Sequence, residues 1–251
     1  MNEPDALVLP TLGDPVDEPW EVFLDLAERL KVDWTIVGGQ MVLLHALEHG
    51  TVPPTVSQDG DVIADVRATR KALRKVAAVL EAMGFELAGM ANDGTAHRYR
   101  KPGRGGGRPV TIDVLAPDGV GARADLTTTP PGHGTQAPAG TQALSRTERI
   151  RIQAGGRVGE VPRPSLLGAI VGKAAACGIP GDPSRHYRDL ALLCSLVDDP
   201  FALTDELTSK DRRNLKLATA LDEPTHTAWL HVPEDLRTDG RNAWGILTQQ
   251  P

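Results

Sequence analysis

Apolar and polar positions follow two different periods along the chain, and these periods divide it into strand-like and helix-like segments. Short runs rich in β-branched residues predict strands in DWTIVGG, DVIADV, FELAG, AHRYRK and RPVTIDVLAP, and a hairpin in RIRIQAGGRVGEV. Apolar residues at helical spacing predict helices in WEVFLDLAERL, in QMVLLHALEH and over residues 67–83. From Pro164 onward the pattern is helical, beginning with PSLLGAIVGKAAAC and SRHYRDLALLCSLV.

These elements predict an α/β (α+β) fold in which a mixed sheet with flanking helices is followed by a C-terminal helical lobe. Residues 1–18 are acidic and punctuated by proline, which favours a disordered or extended tail. We therefore predict a tail over residues 1–18, an α/β domain over residues 19–160 and a helical lobe over residues 161–251. TTTPPGHGTQAPAGTQA is expected to be a loop.

Composition places the chain among ordinary soluble proteins. It has 251 residues, of which 40% are hydrophobic and 24% charged. No apolar stretch approaches the length of a membrane span, and the N-terminus lacks the basic start and apolar core of a secretion signal. Cys177 and Cys194 show no metal-ligand spacing, so a reduced, cytoplasmic protein without membrane contact is predicted.

Positive charge is uneven within a chain whose net charge of −6 argues against general polyanion binding. Residues 98–108, RYRKPGRGGGR, carry five positive residues and no negative one. A second basic group lies at helical spacing on one predicted face, namely Arg67, Arg70, Lys71, Arg74 and Lys75. Solvation is the more frequent role of such a face, but a polyanionic substrate stays open.

Acidic residues occur where strands would ordinarily be apolar. Asp59 and Asp61 begin the strand DVIADV and point to the same face, since side chains alternate along a strand. Two adjacent carboxylates are costly without a counter-ion, and Mg²⁺ typically takes one or two carboxylates together with substrate phosphates. Asp113, in VTIDVLAP, can point outward at the same edge. A surface aspartate at a strand end is the ordinary alternative for each.

A double glycine, Gly38–Gly39, separates a predicted strand from a predicted helix. Exposed amides and the helix dipole make such a turn a good phosphate cradle, although a simple tight turn is equally consistent with the glycines. Other motifs are excluded. An EF-hand loop from Asp59 would have Ala64 and Arg70 where glycine and glutamate are needed, and GRGGGR is not a Walker loop.

In combination, these motifs resemble the nucleotidyltransferase fold of the DNA polymerase β type. The residues that carry the resemblance are Gly38, Gly39, Ser57, Asp59, Asp61 and Asp113. Within that superfamily the chain is most similar to the AbiEii and MenT group of toxin-type nucleotidyltransferases, whose helical lobe carries a lysine followed by an Arg/Lys-Asp pair. Lys173, Arg188 and Asp189 match that pattern, and the resemblance covers residues 34–193. Thr55 stands where the family often has arginine, and Gly60 where it usually has an apolar residue.

The resemblance implies that Mg²⁺ or Mn²⁺ binds Asp59, Asp61 and Asp113, with an NTP as substrate. Gly38, Gly39 and Ser57 would hold the triphosphate, and Asp113 would act as the base. Lys173 would neutralise phosphate charge with Arg188 as a second cation, and Asp189 would orient either of them through an ion pair. A lysine inside AIVGKAAA needs a partner, because its neighbours are apolar on every side.

The function that follows is metal-dependent transfer of a nucleotide monophosphate from an NTP to an acceptor hydroxyl. The resemblance and the basic segments favour a toxin-type enzyme acting on RNA, such as a tRNA 3′ end, with a cognate antitoxin protein as a further partner. Transfer to a small molecule such as an antibiotic, or to a protein hydroxyl, stays open. So does a catalytically degenerate nucleotide- or RNA-binding module.

Overall fold

The computed structural model describes residues 6–249, apart from the side chains of residues 14–16. Its strands are β1 (Leu7–Val8), β2 (Trp34–Val37), β3 (Asp59–Ala64), β4 (Glu86–Leu87), β5 (Arg98–Lys101), β6 (Val110–Pro117), β7 (Gln136–Ala137), β8 (Thr147–Ala154) and β9 (Arg157–Pro164). Its α-helices are α1 (Asp14–Arg29), α2 (Gly38–Glu48), α3 (Ala72–Ala82), α4 (Gly140–Ser145), α5 (Leu166–Ala176), α6 (Ser184–Cys194), α7 (Pro200–Asp205), α8 (Ser209–Leu215) and α9 (Glu234–Thr248). Shorter 3-10 helices occupy Arg104–Gly106, Lys216–Asp222 and Thr227–His231.

The chain divides into two compact units. The sheet unit contains the residues up to Gln40 together with Val56–Pro164, and the helical unit contains Met41–Thr55 together with Ser165–Pro251. The sequence placed the division at residue 160 and did not anticipate that residues 41–55 would group with the helices. Five residues of α2 after Gln40 are apolar and buried, namely Met41, Val42, Leu43, Leu44 and Ala46.

A mixed sheet in the order β2-β3-β6-β5-β4 forms the centre of the sheet unit, with β7 beside β6. β3 and β6 run parallel, whereas β2–β3, β5–β6 and β4–β5 are antiparallel. One face carries fully buried side chains, including Val62, Ile112 and Tyr99, and α1 and α3 both contact this sheet. The mixed sheet with flanking helices that the sequence predicted is therefore confirmed.

A smaller sheet in the order β1-β8-β9 completes the sheet unit. β8 and β9 are the predicted hairpin, and their turn is Gly155–Gly156 with φ values of 55° and 81°. Positive φ at both central residues matches the right-handed twist of the flanking strands and favours glycine at each position.

The N-terminal segment is more ordered than a tail. Residues 1–5 lie outside the described part, but β1 pairs with β8 and α1 begins at Asp14 rather than after residue 18. The Asp17 carboxylate accepts hydrogen bonds from the amides of Leu12 and Gly13, which fixes the approach to the helix. The segment expected to be a loop, residues 127–143, likewise contains β7 and the start of α4.

The basic helix expected over residues 67–83 begins only at Ala72. Lys71 has a left-handed conformation with φ 61°, and the Asp65 carboxylate accepts hydrogen bonds from the amides of Arg67 and Ala68. These local bonds compete with the helix, as aspartate commonly does at turns. Arg67, Arg70 and Lys71 therefore precede the helix, and the expected continuous basic face does not form.

The helical unit confirms the helical pattern that the sequence shows from Pro164 onward. Its core includes Trp229 and Trp244, both buried, with the indole N–H of Trp244 donating to Asp222 Oδ1 at 2.8 Å. α5 packs against α6 and α8, and α9 packs against α6 and α7. No helix within residues 6–249 is long and apolar enough to cross a membrane.

Candidate functional site

Three of the predicted carboxylates come together on two neighbouring parallel strands. Asp61 on β3 lies directly opposite Asp113 on β6, and Asp59 lies opposite Thr111. Because side chains two residues apart share a face, all three acids lie on the same face of the sheet. Asp61 is also paired with Val37, the residue that precedes Gly38.

The glycine turn lies against one of these acids. Gly38 has φ 71°, and a Cβ placed on it would lie 1.9 Å from Asp61 Oδ2. The carboxylate of Asp61 therefore occupies the space that any other side chain at position 38 would need. α2 begins at this residue, so its first amides lack intrahelical acceptors, which is the arrangement that binds anions.

Gln40 ties the segment before β3 to the start of α2. Its Nε2 donates to the Ser57 carbonyl at 2.8 Å, and both residues are buried. The Ser57 hydroxyl donates to the Asp59 carbonyl at 3.1 Å. Sequence reasoning selected Ser57 but missed Gln40, although a lone amide inside the apolar run GGQMVLL was a usable signal.

Arg98 is a second residue that sequence reasoning missed as part of this site. It lies opposite Asp113 in the β5–β6 register, and its Nε and Nη2 donate to Asp113 Oδ1 at 2.8 Å and Oδ2 at 2.7 Å. The hydrogen bonds to Asp113 raise the pKa of the Arg98 guanidinium, and the charges of Asp59 and Asp61 act in the same direction. Arg98 is thus a counter-ion of this carboxylate group.

This ion pair bears on the predicted metal site. Within residues 6–249, no three His, Cys, Asp or Glu side chains are arranged to hold one metal ion. Both oxygens of Asp113 accept from Arg98, and the residue is only 6% exposed rather than pointing outward. The three-carboxylate set does not fit a metal in this arrangement. Asp59 and Asp61 still fit Mg²⁺, which is commonly bound by one or two carboxylates and substrate phosphates.

The glycine between the two acids has a packing role. A Cβ on Gly60 would lie 2.7 Å from both Phe23 Cζ and Ile112 Cδ1. Phe23 is fully buried on α1, so Gly60 allows this helix to approach β3 closely. The absence of an apolar side chain at this position therefore reflects tight packing beneath the acids.

The remaining predicted site residues belong to the helical unit. Lys173 on α5 donates to Asp189 on α6, with Nζ 2.6 Å from Oδ2, and both residues are buried. This contact is the ion pair through which Asp189 was expected to orient a cation. Arg188, next to Asp189, is half-buried, and its Nε has no hydrogen-bond acceptor among the described residues.

Two titratable groups near this ion pair are held neutral by burial. Burial raises the pKa of the Cys177 thiol to about 12, against a smaller lowering effect of the Lys173 charge. Burial lowers the pKa of His186, and the Lys173 charge acts in the same direction. Neither group therefore adds charge near the ion pair at neutral pH.

Comparisons with known proteins support the fold class that this geometry suggests. A crystal structure of an antigenic nucleotidyltransferase-like protein from Paracoccidioides brasiliensis is similar to the chain, with a TM-score of 0.56. The match has 15% sequence identity and covers 91% of this chain and 93% of that chain. No protein-family model matches the sequence, and no curated protein matches it. The chain thus has a nucleotidyltransferase-like fold.

Proposed function

We propose that the chain is a nucleotidyltransferase that transfers a nucleotide monophosphate from an NTP to an acceptor hydroxyl. The observation that carries the proposal is the meeting of Asp59, Asp61 and Asp113 on one sheet face, beside a glycine turn that opens a helix. A cluster of acids next to helix amides suits a substrate that is itself a complex of a cation and a polyphosphate.

In the proposed complex, the triphosphate binds the turn at Gly38 and Gly39, where helix amides face the anion. Ser57 is held close to this turn through Gln40. Asp59 and Asp61 bind Mg²⁺ or Mn²⁺, which when bound would stabilise negative charge on the phosphate oxygens. These residues orient the α-phosphate for attack.

The proposed reaction is a displacement at the α-phosphorus. The acceptor oxygen forms the new P–O bond, the bond to the leaving pyrophosphate breaks, and the acceptor hydroxyl loses its proton. Asp113 is the proposed proton acceptor, and in that role it has to be released from Arg98, whose guanidinium engages both of its oxygens.

Two cations and one acid on α5 and α6 have proposed roles in binding phosphate. Lys173 and Arg188 are the proposed phosphate ligands, with Asp189 as the orienting acid. The charge of Lys173 is balanced by Asp189 in this structure, whereas a nitrogen of Arg188 lacks an acceptor among the described residues. Arg188 is therefore the better supported of the two cations as a ligand for phosphate.

We further propose a toxin-type enzyme of the AbiEii and MenT kind, with RNA such as a tRNA 3′ end as the acceptor and an antitoxin as a protein partner. The basic residues 98–108 support a polyanionic acceptor, since Arg100 is exposed and makes no side-chain ion pair with another described residue. The alternatives are a small-molecule or protein hydroxyl as acceptor, and a binding module without catalysis.

The test is incubation of the purified protein with each labelled NTP, Mg²⁺ or Mn²⁺, and total tRNA, followed by gel analysis. Wild type should transfer label, whereas Asp59→Asn and Asp61→Asn should not. Both substitutions should leave the fold intact, because these half-buried acids lie at the start of β3. Transfer by either variant at the wild-type rate would contradict the site, and NTP binding without transfer to tRNA would favour another acceptor or the binding module.

A further inference from the structure

Two arginines on α9 lie outside the site described above and have no acidic partner within the described part of the chain. Arg237 and Arg241 are four residues apart, so their side chains project from one side of the helix, and both are half-buried. The Nε of each is buried and has no hydrogen-bond acceptor among the described residues. Arg237 Nη2 donates to the Val232 carbonyl at 3.2 Å, whereas the Arg241 side chain makes no hydrogen bond or ion pair within residues 6–249.

The acids of the same helix do not offset these charges. Asp235 and Asp239 are each two residues from Arg237 and therefore face another side of α9. Glu234 precedes Arg237 by three residues, but it is exposed and makes no ion pair with it. Arg237 is also the fourth residue of the helix, close to the positive end of the helix dipole, where a cation is unfavourable. This side of α9 therefore carries positive charge that its own sequence does not balance.

Arg74 and Arg98, two half-buried arginines of the sheet unit, show the usual arrangement. Arg74 pairs with Glu81 and Arg98 with Asp113, each through two hydrogen bonds. An enclosed guanidinium nitrogen without an acceptor is unfavourable, because it has lost its hydrogen bonds to water. The two arginines of α9 are therefore arranged for an anion that the described part of the chain does not supply.

We propose that Arg237 and Arg241 bind a phosphate group. The planar guanidinium donates parallel hydrogen bonds that match phosphate oxygens, and a phosphate monoester carries about two negative charges, which balance two cations. A carboxylate would balance only one of them. The phosphate group belongs either to a small phosphorylated compound or to the backbone of a nucleic acid. The site is separate from the carboxylates of the main sheet and does not depend on the proposed nucleotidyl transfer.

The experiment measures thermal unfolding in chloride and in inorganic phosphate at matched ionic strength. Phosphate also stabilises most proteins in a general way, so the signal is a saturable rise in melting temperature that wild type shows and the site variant lacks. The double variant Arg237→Ala/Arg241→Ala should bind phosphate about 10- to 100-fold more weakly than wild type, the range expected for losing charge-assisted hydrogen bonds.

Two further variants sharpen the comparison. Arg185→Ala/Arg213→Ala is the matched control, since it removes the same charge from two exposed arginines of the helical unit. It should respond to phosphate as wild type does. Arg237→Lys/Arg241→Lys keeps both charges but loses the planar donor pattern, so it should bind phosphate with an affinity between those of wild type and the alanine variant. It carries the test if the alanine variant does not fold.

A short single-stranded RNA distinguishes the two sources of phosphate. If the alanine variant loses affinity for RNA as well as for inorganic phosphate, the ligand is a nucleic acid backbone; if it loses affinity for inorganic phosphate alone, the ligand is a small phosphorylated compound. Equal responses of wild type and the alanine variant to phosphate would overturn the proposal, and so would loss of the response in the control. Nucleotide transfer plays no part in these measurements, so either result leaves the proposed function standing.

Discussion

The ammonium nitrogen of Lys173 lies 2.6 Å from Oδ2 of Asp189, and the two side chains are only 6% and 5% exposed. The sequence indicated that a lysine in this apolar helix needs a partner, and the resemblance implied both a phosphate and an ion pair with Asp189 as candidates. The partner in this structure is an acid on the next helix. Phosphate binding by Lys173 would therefore require Asp189 to share or release it.

The first prediction concerns the stability of this pair. Lys173→Met should lower the free energy of unfolding by about 3–5 kcal/mol, because it leaves the Asp189 carboxylate buried without a partner. The double variant Lys173→Met/Asp189→Leu should regain most of that loss, since no buried charge remains. Urea unfolding measures both values. A double variant that is no more stable than the single one would contradict the argument.

A second prediction separates backbone strain from the position of Asp61. Gly84→Ala should cost about 1–2 kcal/mol because its φ is 83°, and Gly38→Ala, with φ 71°, should cost more because its Cβ also meets Asp61. A Cβ at Gly84 meets no atom within 4 Å, whereas one at Gly38 displaces the Asp61 carboxylate. Only Gly38→Ala should weaken Mn²⁺–NTP binding in calorimetry. Equal affinities for the two variants would show that Asp61 does not need its present position.

The third prediction tests the close packing beneath the acids. Gly60→Ala should destabilise the protein by about 1–3 kcal/mol, because its Cβ would lie 2.7 Å from Phe23 and Ile112 in a packed core. Gly245→Ala is the control, since a Cβ there meets nothing within 4 Å and lies in a helix, where alanine is favoured by up to about 1 kcal/mol. Thermal unfolding should show opposite signs for the two changes.

Local sequence patterns predicted the parts of the site that depend on one strand or one turn. The spacing of Asp59 and Asp61 indicated their shared face, and Asp113 was recognised as a polar residue within an apolar strand. The contact between Arg98 and Asp113 was not predictable, because it depends on the strand order β6-β5 and on an antiparallel register. The role of Gly60 likewise depends on Phe23, which is distant in sequence.

A fourth prediction concerns an RNA acceptor. Arg74 forms an ion pair with Glu81, and Arg104 forms one with Glu21. The Arg70 side chain is 87% exposed, and its Nε lies 3.9 Å from Asp125 Oδ2, which makes a much looser contact. If RNA binds here, the affinity should fall with salt, and the slope of log affinity against log salt concentration reports the number of phosphate contacts, at roughly 0.7–0.9 per contact. The double variant Arg70→Ala/Arg100→Ala removes two such contacts, so the magnitude of its slope should be about 1.5 smaller than that of wild type.

Arg74→Ala/Arg104→Ala is the matched control for that measurement. It removes the same charge, but from residues already paired with acids, so it should change the slope much less. NTP affinity should be the same in both double variants. Slopes that match wild type in each case would favour a small-molecule or protein acceptor.

The register of the main sheet also determines which changes of chain length the site can tolerate. Val37, Asp61, Asp113 and Arg98 form one transverse row across β2, β3, β6 and β5. Inserting one residue between Val110 and Asp113 would turn Asp113 toward the buried face and bring an apolar side chain to the acids. Inserting one in the glycine turn at residues 103–107 would leave the row unchanged, so homologous chains should vary in length there and not within β6.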